Sequence, residues 1–298
     1  MDWKSRRIVA ILEGALIEDR AAEDVTTSLT IDRKLRATGS IVAREPCIVA
    51  GLGAVPVIME LFNALVVRSG APSVGRFEVI SHPEIFDGVK VKRGQPIAVV
   101  RSNACALLAT ERVILNLLQR MSGIATLTQE FVRAVAGTRT KIVDTRKTIP
   151  GLRVLDKYAV CCGGGLNHRL DLRDGISIKR NHIALGGGIE KTLSNALKFR
   201  SGKQSVQIEI RSVDELELAI KGGAESILLD NMTPAAVKKA VKLIRAARPT
   251  TQIEVSGPVT LANVRKYALA GADLIAVGKL TESAAAVNLG MRVVADAS

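Results

Sequence analysis

Aromatic side chains are scarce, at 3% of 298 residues, with one Trp and two Tyr. Proteins that grip single-stranded nucleic acid stack bases on aromatic rings, so that class is disfavoured. No zinc-finger or ribonucleoprotein pattern is present either, and no nucleic-acid partner is expected. Cysteine is also sparse: four residues in a chain this long make no disulfide framework. Cys47 and Cys105 stand alone, and adjacent Cys161 and Cys162 lack metal-ligand spacing. All four read as buried or half-buried thiols. No apolar run reaches about 18 residues, so no spanning helix and no membrane partner are expected. The best leader candidate, Ile8 to Ile17, contains Glu13 and lacks a small-residue cleavage site, so no signal peptide is expected and the chain reads as cytoplasmic.

What the chain does have is positive charge. Lys and Arg number 42 against 29 Asp and Glu, a formal net charge of +13. Hydrophobic residues make up 47%, enough for a sizeable core. Such a field favours anionic partners. The densest basic stretch, Lys238, Lys239, Lys242, Arg245 and Arg248, repeats at helical spacing and reads as a solvated helix face. Anionic small molecules therefore lead.

Two halves read differently. Residues 3–18 pattern as an amphipathic helix, 24–28 as a turn with capping residues, 35–52 as β structure and 53–65 as a helix. Strands are expected over 77–81, 88–92 and 96–101, the last two joined by Arg93-Gly94-Gln95 as a hairpin. From Leu107 to about Ala136 the pattern is helical, with a break expected at Ser122-Gly123. Beyond it, six short apolar runs alternate with helical patterns: 141–144, 175–179, 206–209, 226–230, 252–256 and 274–278. Strand–helix alternation means parallel strands joined by crossovers. The runs Gly163–Gly165 and Gly186–Gly188 match neither nucleotide-binding glycine fingerprint, which favours a barrel over a nucleotide-binding sheet.

In parallel α/β folds ligands sit at the carboxyl ends of the strands. Those ends carry Asp144, Thr145, Arg146 and Lys147, then His168 and Arg169, then Lys179, Asn181 and His182, then Glu209, Asp230, Ser256-Gly257 and Gly278. Gathering so many cations is costly unless an anion compensates them, so the site expects a polyanion. Two carboxylates on neighbouring strands, Glu209 and Asp230, facing a polyphosphate would most economically hold Mg²⁺. Gln207 and Arg211 share the face of Glu209 by period-two alternation, so an ion-pair network is the rival reading of that acid. Glu254, in mid-strand, reads as a salt bridge at the core's edge.

The blocks Asp144–Arg153, Lys157–Val160, Gly163–Arg169 and Ile178–Ile183 resemble the quinolinate phosphoribosyltransferase family (nicotinate-nucleotide pyrophosphorylase, carboxylating). Upstream, Glu111-Arg112 and Ser122–Thr126 fit the same resemblance; downstream, Leu229–Met232, Val255–Gly257 and Val277-Gly278 do so too. The resemblance implies an α/β chain. An N-terminal α+β sandwich would cover 1–117 and be rejoined by the tail 284–298, and an incomplete TIM-like α/β barrel would cover 118–283. It implies Mg²⁺-dependent transfer of phosphoribosyl from phosphoribosyl pyrophosphate to quinolinate, with decarboxylation, in NAD biosynthesis. It also implies a homodimer or an assembly of dimers, with Arg112 and Asp87 reaching the partner's site. Arg112, Arg146, His168, Arg169 and Lys179 would clamp quinolinate. Lys147, Lys179, Glu209, Asp230, Ser256, Gly257 and Gly278 would handle the sugar donor and Mg²⁺, with Lys147, Glu209 and Asp230 catalytic and Glu209 and Asp230 the metal ligands.

Seven positions depart from the family pattern. Arg180, Gln207 and Arg211 stand where acids are usual, Asp171 replaces a glycine, and Pro258 follows Ser256-Gly257 without an N–H. Lys279 replaces a small residue, and Glu282 a basic residue or His. These leave room for altered kinetics or for a related transferase with another anionic heterocycle; a non-catalytic protein binding a phosphorylated ligand through the basic mouth is the separate alternative.

Overall fold

The computed structural model describes residues 1–202 and 204–297. The chain divides into two compact units: residues 1–127, 149–164 and 283–298 form one, and 128–148 with 165–282 form the other. The helices in chain order are α1 (Arg6–Glu18), α2 (Val25–Thr30), α3 (Ala54–Arg68), α4 (Ala104–Ala134), α5 (Arg153–Cys162), α6 (Arg180–Gly186), α7 (Ile189–Phe199), α8 (Val213–Lys221), α9 (Pro234–Ala247), α10 (Val264–Leu269) and α11 (Lys279–Glu282). The strands are β1 (Arg36–Ala43), β2 (Cys47–Ile48), β3 (Glu78–Ile80), β4 (Lys90–Val91), β5 (Pro96–Asn103), β6 (Lys141–Val143), β7 (Ile176–Ile178), β8 (Val206–Ile210), β9 (Ser226–Asp230), β10 (Gln252–Ser256), β11 (Leu274–Ala276) and β12 (Leu289–Ala295).

The first unit is built on an antiparallel sheet in the order β12-β1-β5-β3, with a separate β2-β4 pair. α1 buries Ile8, Leu12 and Leu16, one stripe at four-residue spacing, and packs on α3. The C-terminal strand returns to β1, with Ala37 opposite Ala295 and Ala43 opposite Leu289. Three expectations are corrected here. Asp24 begins a short helix rather than a turn: its carboxylate accepts the Thr27 N–H at 3.0 Å and caps α2. Arg93-Gly94-Gln95 does not close a hairpin, because β4 pairs with β2 while β5 joins β1 and β3. The turn carries the chain from one sheet to the other and bonds the end of β1, Gly94 N donating to Ala43 O at 2.7 Å.

α4 is continuous through Ser122-Gly123, the third correction. Ser122 Oγ accepts the Ala50 N–H at 3.0 Å, and a Cβ on Gly123 would stand 2.0 Å from the Ala285 carbonyl oxygen. The two small residues let other chain segments lie against the helix; they do not end it.

The second unit is a six-stranded parallel sheet in the order β6-β11-β10-β9-β8-β7. Helices α7 to α10 fall between successive strands from β7 to β11, as the alternating pattern predicts. β6 and β7 do not pair, so the barrel is incomplete. On the open side Leu166 adds to β6, donating to Ile142 O at 2.9 Å and accepting from Asp144 N at 3.1 Å. Lys238, Lys239 and Lys242 lie on the exposed face of α9, as their spacing predicts, while Val237, Ala240, Val241 and Ile244 are buried; Arg245 is instead half-buried against Asp273, and Arg248 lies past the helix end. Among the described residues no helix is long and apolar enough to cross a membrane.

Candidate active site

The barrel's interior faces are unusually polar. Barrel cores are ordinarily filled by branched aliphatic side chains. Here β8 turns Gln207 and Glu209 inward, β9 Leu228 and Asp230, and β10 Glu254 and Ser256, together lining the barrel's two cavities. A cavity of about 470 Å³ opens at the carboxyl ends of the strands, a size usual for small-molecule sites. Its wall includes Arg146, Lys147, His168, Arg169, Lys179, Glu209, Asp230, Ser256 and Gly278. Thr145, Ser177 and Glu254 complete the polar lining. A second cavity of about 770 Å³ shares His168, Arg169, Ser177 and Glu254 with it and continues along the barrel's interior past Gln207.

Each side chain is set by its element. Asp144, fully buried just after β6, accepts the His168 N–H at 2.8 Å and so fixes the loop that carries His168. His168 Nδ1 accepts the Arg169 N–H at 2.9 Å, which leaves Nε2 to carry the proton; Nε2 lies 3.2 Å from Glu254 Oε2. Burial, then the charge of Arg146, pulls the Arg169 guanidinium below its usual range. Two cations crowded in this way favour an anion between them. Lys147 is mostly exposed, with Nζ 3.9 Å from Glu282 Oε2, and its carbonyl accepts the Thr281 hydroxyl at 2.7 Å.

The two acids form one connected cluster. Glu209 is 8% exposed; Oε2 lies 3.4 Å from Lys179 Nζ and Oε1 lies 3.1 Å from Arg211 Nη2. Asp230 Oδ2 takes the same Arg211 nitrogen at 2.8 Å and the Asn231 amide at 2.7 Å, and Oδ1 accepts the Ser256 hydroxyl at 2.7 Å. Gly257 follows at φ +126°; a Cβ there would press on the Asn231 side chain at 2.8 Å and its backbone at 3.0 Å. The ion-pair reading of Glu209 therefore holds: Lys179, Glu209 and Asp230 line the cavity, and Arg211 braces the two acids from beside it.

Other nominated residues lie elsewhere. Arg112 is exposed on α4 in the first unit, whereas the cavity wall belongs wholly to the barrel unit. Asp87 is engaged within its own unit, accepting the Leu52 N–H at 3.0 Å and the Tyr158 hydroxyl at 2.6 Å. Of the cysteines, Cys47 is buried and Cys105 and Cys162 are half-buried, but Cys161 is exposed, against expectation.

Sequence reasoning undervalued Glu254. It is 2% exposed, faces His168 and accepts the Gln207 amide at 2.8 Å, and Gln207 in turn accepts the Ser177 hydroxyl at 3.1 Å. Its signal lay in the alternation of β10, which places Glu254 on the face of Ser256. The Mg²⁺ assignment meets a different difficulty. All four oxygens of Glu209 and Asp230 are engaged by the chain's own donors. This arrangement does not fit a Mg²⁺ held directly by the pair.

Two family models cover the chain: the quinolinate phosphoribosyl transferase N-terminal domain matches residues 24–122, and the C-terminal domain matches 124–292. The nicotinate-nucleotide pyrophosphorylase (carboxylating) of Mycobacterium leprae is 40% identical over 279 residues, covering 93% of this chain and 94% of that one. A probable enzyme of the same name from Bacillus subtilis is 38% identical over 283 residues, covering 95% and 92%. The crystal structure of NadC from Streptococcus pyogenes superposes with a TM-score of 0.90 at 32% identity, covering 100% of both chains. With its polar barrel mouth and both domains matched along their lengths, the chain belongs to the quinolinate phosphoribosyltransferase family.

Proposed function

We propose that this barrel mouth transfers the phosphoribosyl group of phosphoribosyl pyrophosphate to the ring nitrogen of quinolinate and releases the adjacent carboxylate, yielding nicotinate mononucleotide, pyrophosphate and CO₂ for NAD biosynthesis. The observation that carries this reading is the meeting of Arg146, Lys147, His168, Arg169 and Lys179 with Glu209 and Asp230 around one cavity. Arg146, Arg169, His168 and Lys179 clamp the two carboxylates, for which planar guanidinium forks are suited. Lys147, Ser256, Gly257 and Gly278 hold the donor's phosphates.

When the anomeric C–O bond breaks, its electron pair leaves with pyrophosphate and positive charge develops on the ribose. Glu209 and Asp230 stabilise that charge, and Lys147 neutralises the leaving group. The ring nitrogen closes the new bond. As a pyridinium the ring then accepts the electrons of the breaking C–carboxylate bond, and the ring carbon takes up a proton. Mg²⁺ would accompany the donor as a counter-ion on its pyrophosphate and offset the charge that leaves with it. The reading also includes a cytoplasmic location and a homodimer in which Arg112 of the partner subunit completes the clamp.

The test supplies quinolinate with a labelled carboxyl beside the nitrogen. Pyrophosphate and labelled CO₂ should appear in equal amounts. Lys147→Ala should lower turnover by about a hundredfold or more. Pyrophosphate released with nicotinate and without CO₂ would instead indicate a different acceptor.

A further inference from the structure

The space separating the Glu209 and Asp230 carboxylates is bridged by the chain itself. One nitrogen of Arg211 bridges them, at 3.1 Å from Glu209 Oε1 and 2.8 Å from Asp230 Oδ2. Lys179 holds the outer oxygen of Glu209, and Ser256 that of Asp230. Arg211 is also fixed from behind, its backbone N–H donating to Glu215 Oε2 at 2.7 Å at the start of α8. Mg²⁺ demands oxygen ligands at about 2.0–2.1 Å in near-octahedral order, so it would need the oxygens Arg211 now holds. A dication a few ångströms from this guanidinium is also repelled.

We infer that Arg211 is the resident cation of this acid pair: it aligns Glu209 and Asp230 and occupies the position that a divalent metal bound to both would require. A metal then reaches the mouth only on the phosphate oxygens of the donor. Arg211 is in this sense a positioning residue acting through the two acids. The inference rests on the proposed reading in taking phosphoribosyl pyrophosphate as donor, but its test needs no substrate.

The full chain, free of substrates, is titrated with Mn²⁺, and the free ion is followed by electron paramagnetic resonance. The wild-type protein should leave Mn²⁺ in solution. Arg211→Gln should take up one Mn²⁺ per chain at least about tenfold more tightly, because a repelling charge is gone. Adding Asp230→Asn to that variant should abolish the gain. Should Arg211→Gln not fold, Arg211→Met carries the same expectation. The inference is overturned if the wild-type chain binds one Mn²⁺ that Asp230→Asn removes, or if the neutral variants bind no tighter than wild type. Either result leaves the release of CO₂ and pyrophosphate as it was, whereas a wrong acceptor would alter those products and not the Mn²⁺ titration.

Discussion

Glu254 shows how one buried acid can set the character of a site. It faces the Nε2–H of His168 and accepts an amide N–H from Gln207, and both partners line the barrel's interior. A buried charge persists only when its partners compensate it, so Glu254 and His168 are coupled. Glu254→Gln keeps the shape and removes the carboxylate that holds the Nε2–H of His168 and so orients the ring toward quinolinate. The expected result is a KM for quinolinate raised about tenfold, equivalent to ~1.4 kcal/mol, with a smaller change in kcat. Steady-state kinetics at fixed donor concentration checks it.

The thiols give a prediction with a definite sign. Burial, then the charge of Glu45, pushes Cys47 up to about 11; burial, then Asp87, pushes Cys162 up to about 12. Only the thiolate is nucleophilic, and raised values keep both groups protonated at neutral pH. Iodoacetamide at pH 8 should label exposed Cys161 and spare Cys47 and Cys162 in the native protein, as peptide masses will show. Labelling of Cys47 before unfolding would contradict its burial.

Gly123 is where local pattern and tertiary structure part. A Ser-Gly pair inside a helical pattern reads as a break, yet α4 runs through it because the pair meets Ala50 on one side and Ala285 on the other. Gly123→Ala would normally favour a helix. Here the added methyl lands on the Ala285 carbonyl and should cost about 1–3 kcal/mol through overpacking. A urea midpoint lower than wild type, with an unchanged slope, is the expected readout.

The barrel strands were the legible elements. β9 and β10 fall on the residues their apolar runs mark, and α9 begins at Pro234 behind the capping Thr233. Those signals are local, because a buried parallel strand needs a continuous apolar run and a helix needs its cap. The β4–β5 turn departs from the hairpin its glycine predicts, because strand partners are chosen across the sheets rather than by the turn. The convergence of Lys147, Glu209 and Asp230 followed from strand ends alone. The bridge of Arg211 between two acids depends on side-chain direction beyond the strand, which periodicity specifies only as a shared face.

For the whole molecule, the excess of positive charge is matched by a barrel mouth whose cations outnumber its acids. Charge of this kind steers anionic substrates towards the cavity and weakens in salt. The same accounting bears on assembly. Arg112 is an exposed cation on α4, outside the barrel unit that supplies the cavity wall. If the homodimer shares its sites, Arg112→Ala and Lys147→Ala each disable every site of a pure dimer. A mixed dimer, however, regains one site containing both Arg112 and Lys147. Co-refolding the two inactive variants in equal amounts gives half mixed dimers, each with one of two sites restored, so activity should return to about a quarter of wild type by random pairing. Activity that stays at the level of the separate variants would place Arg112 outside the partner's site and return the clamp to the residues of a single barrel.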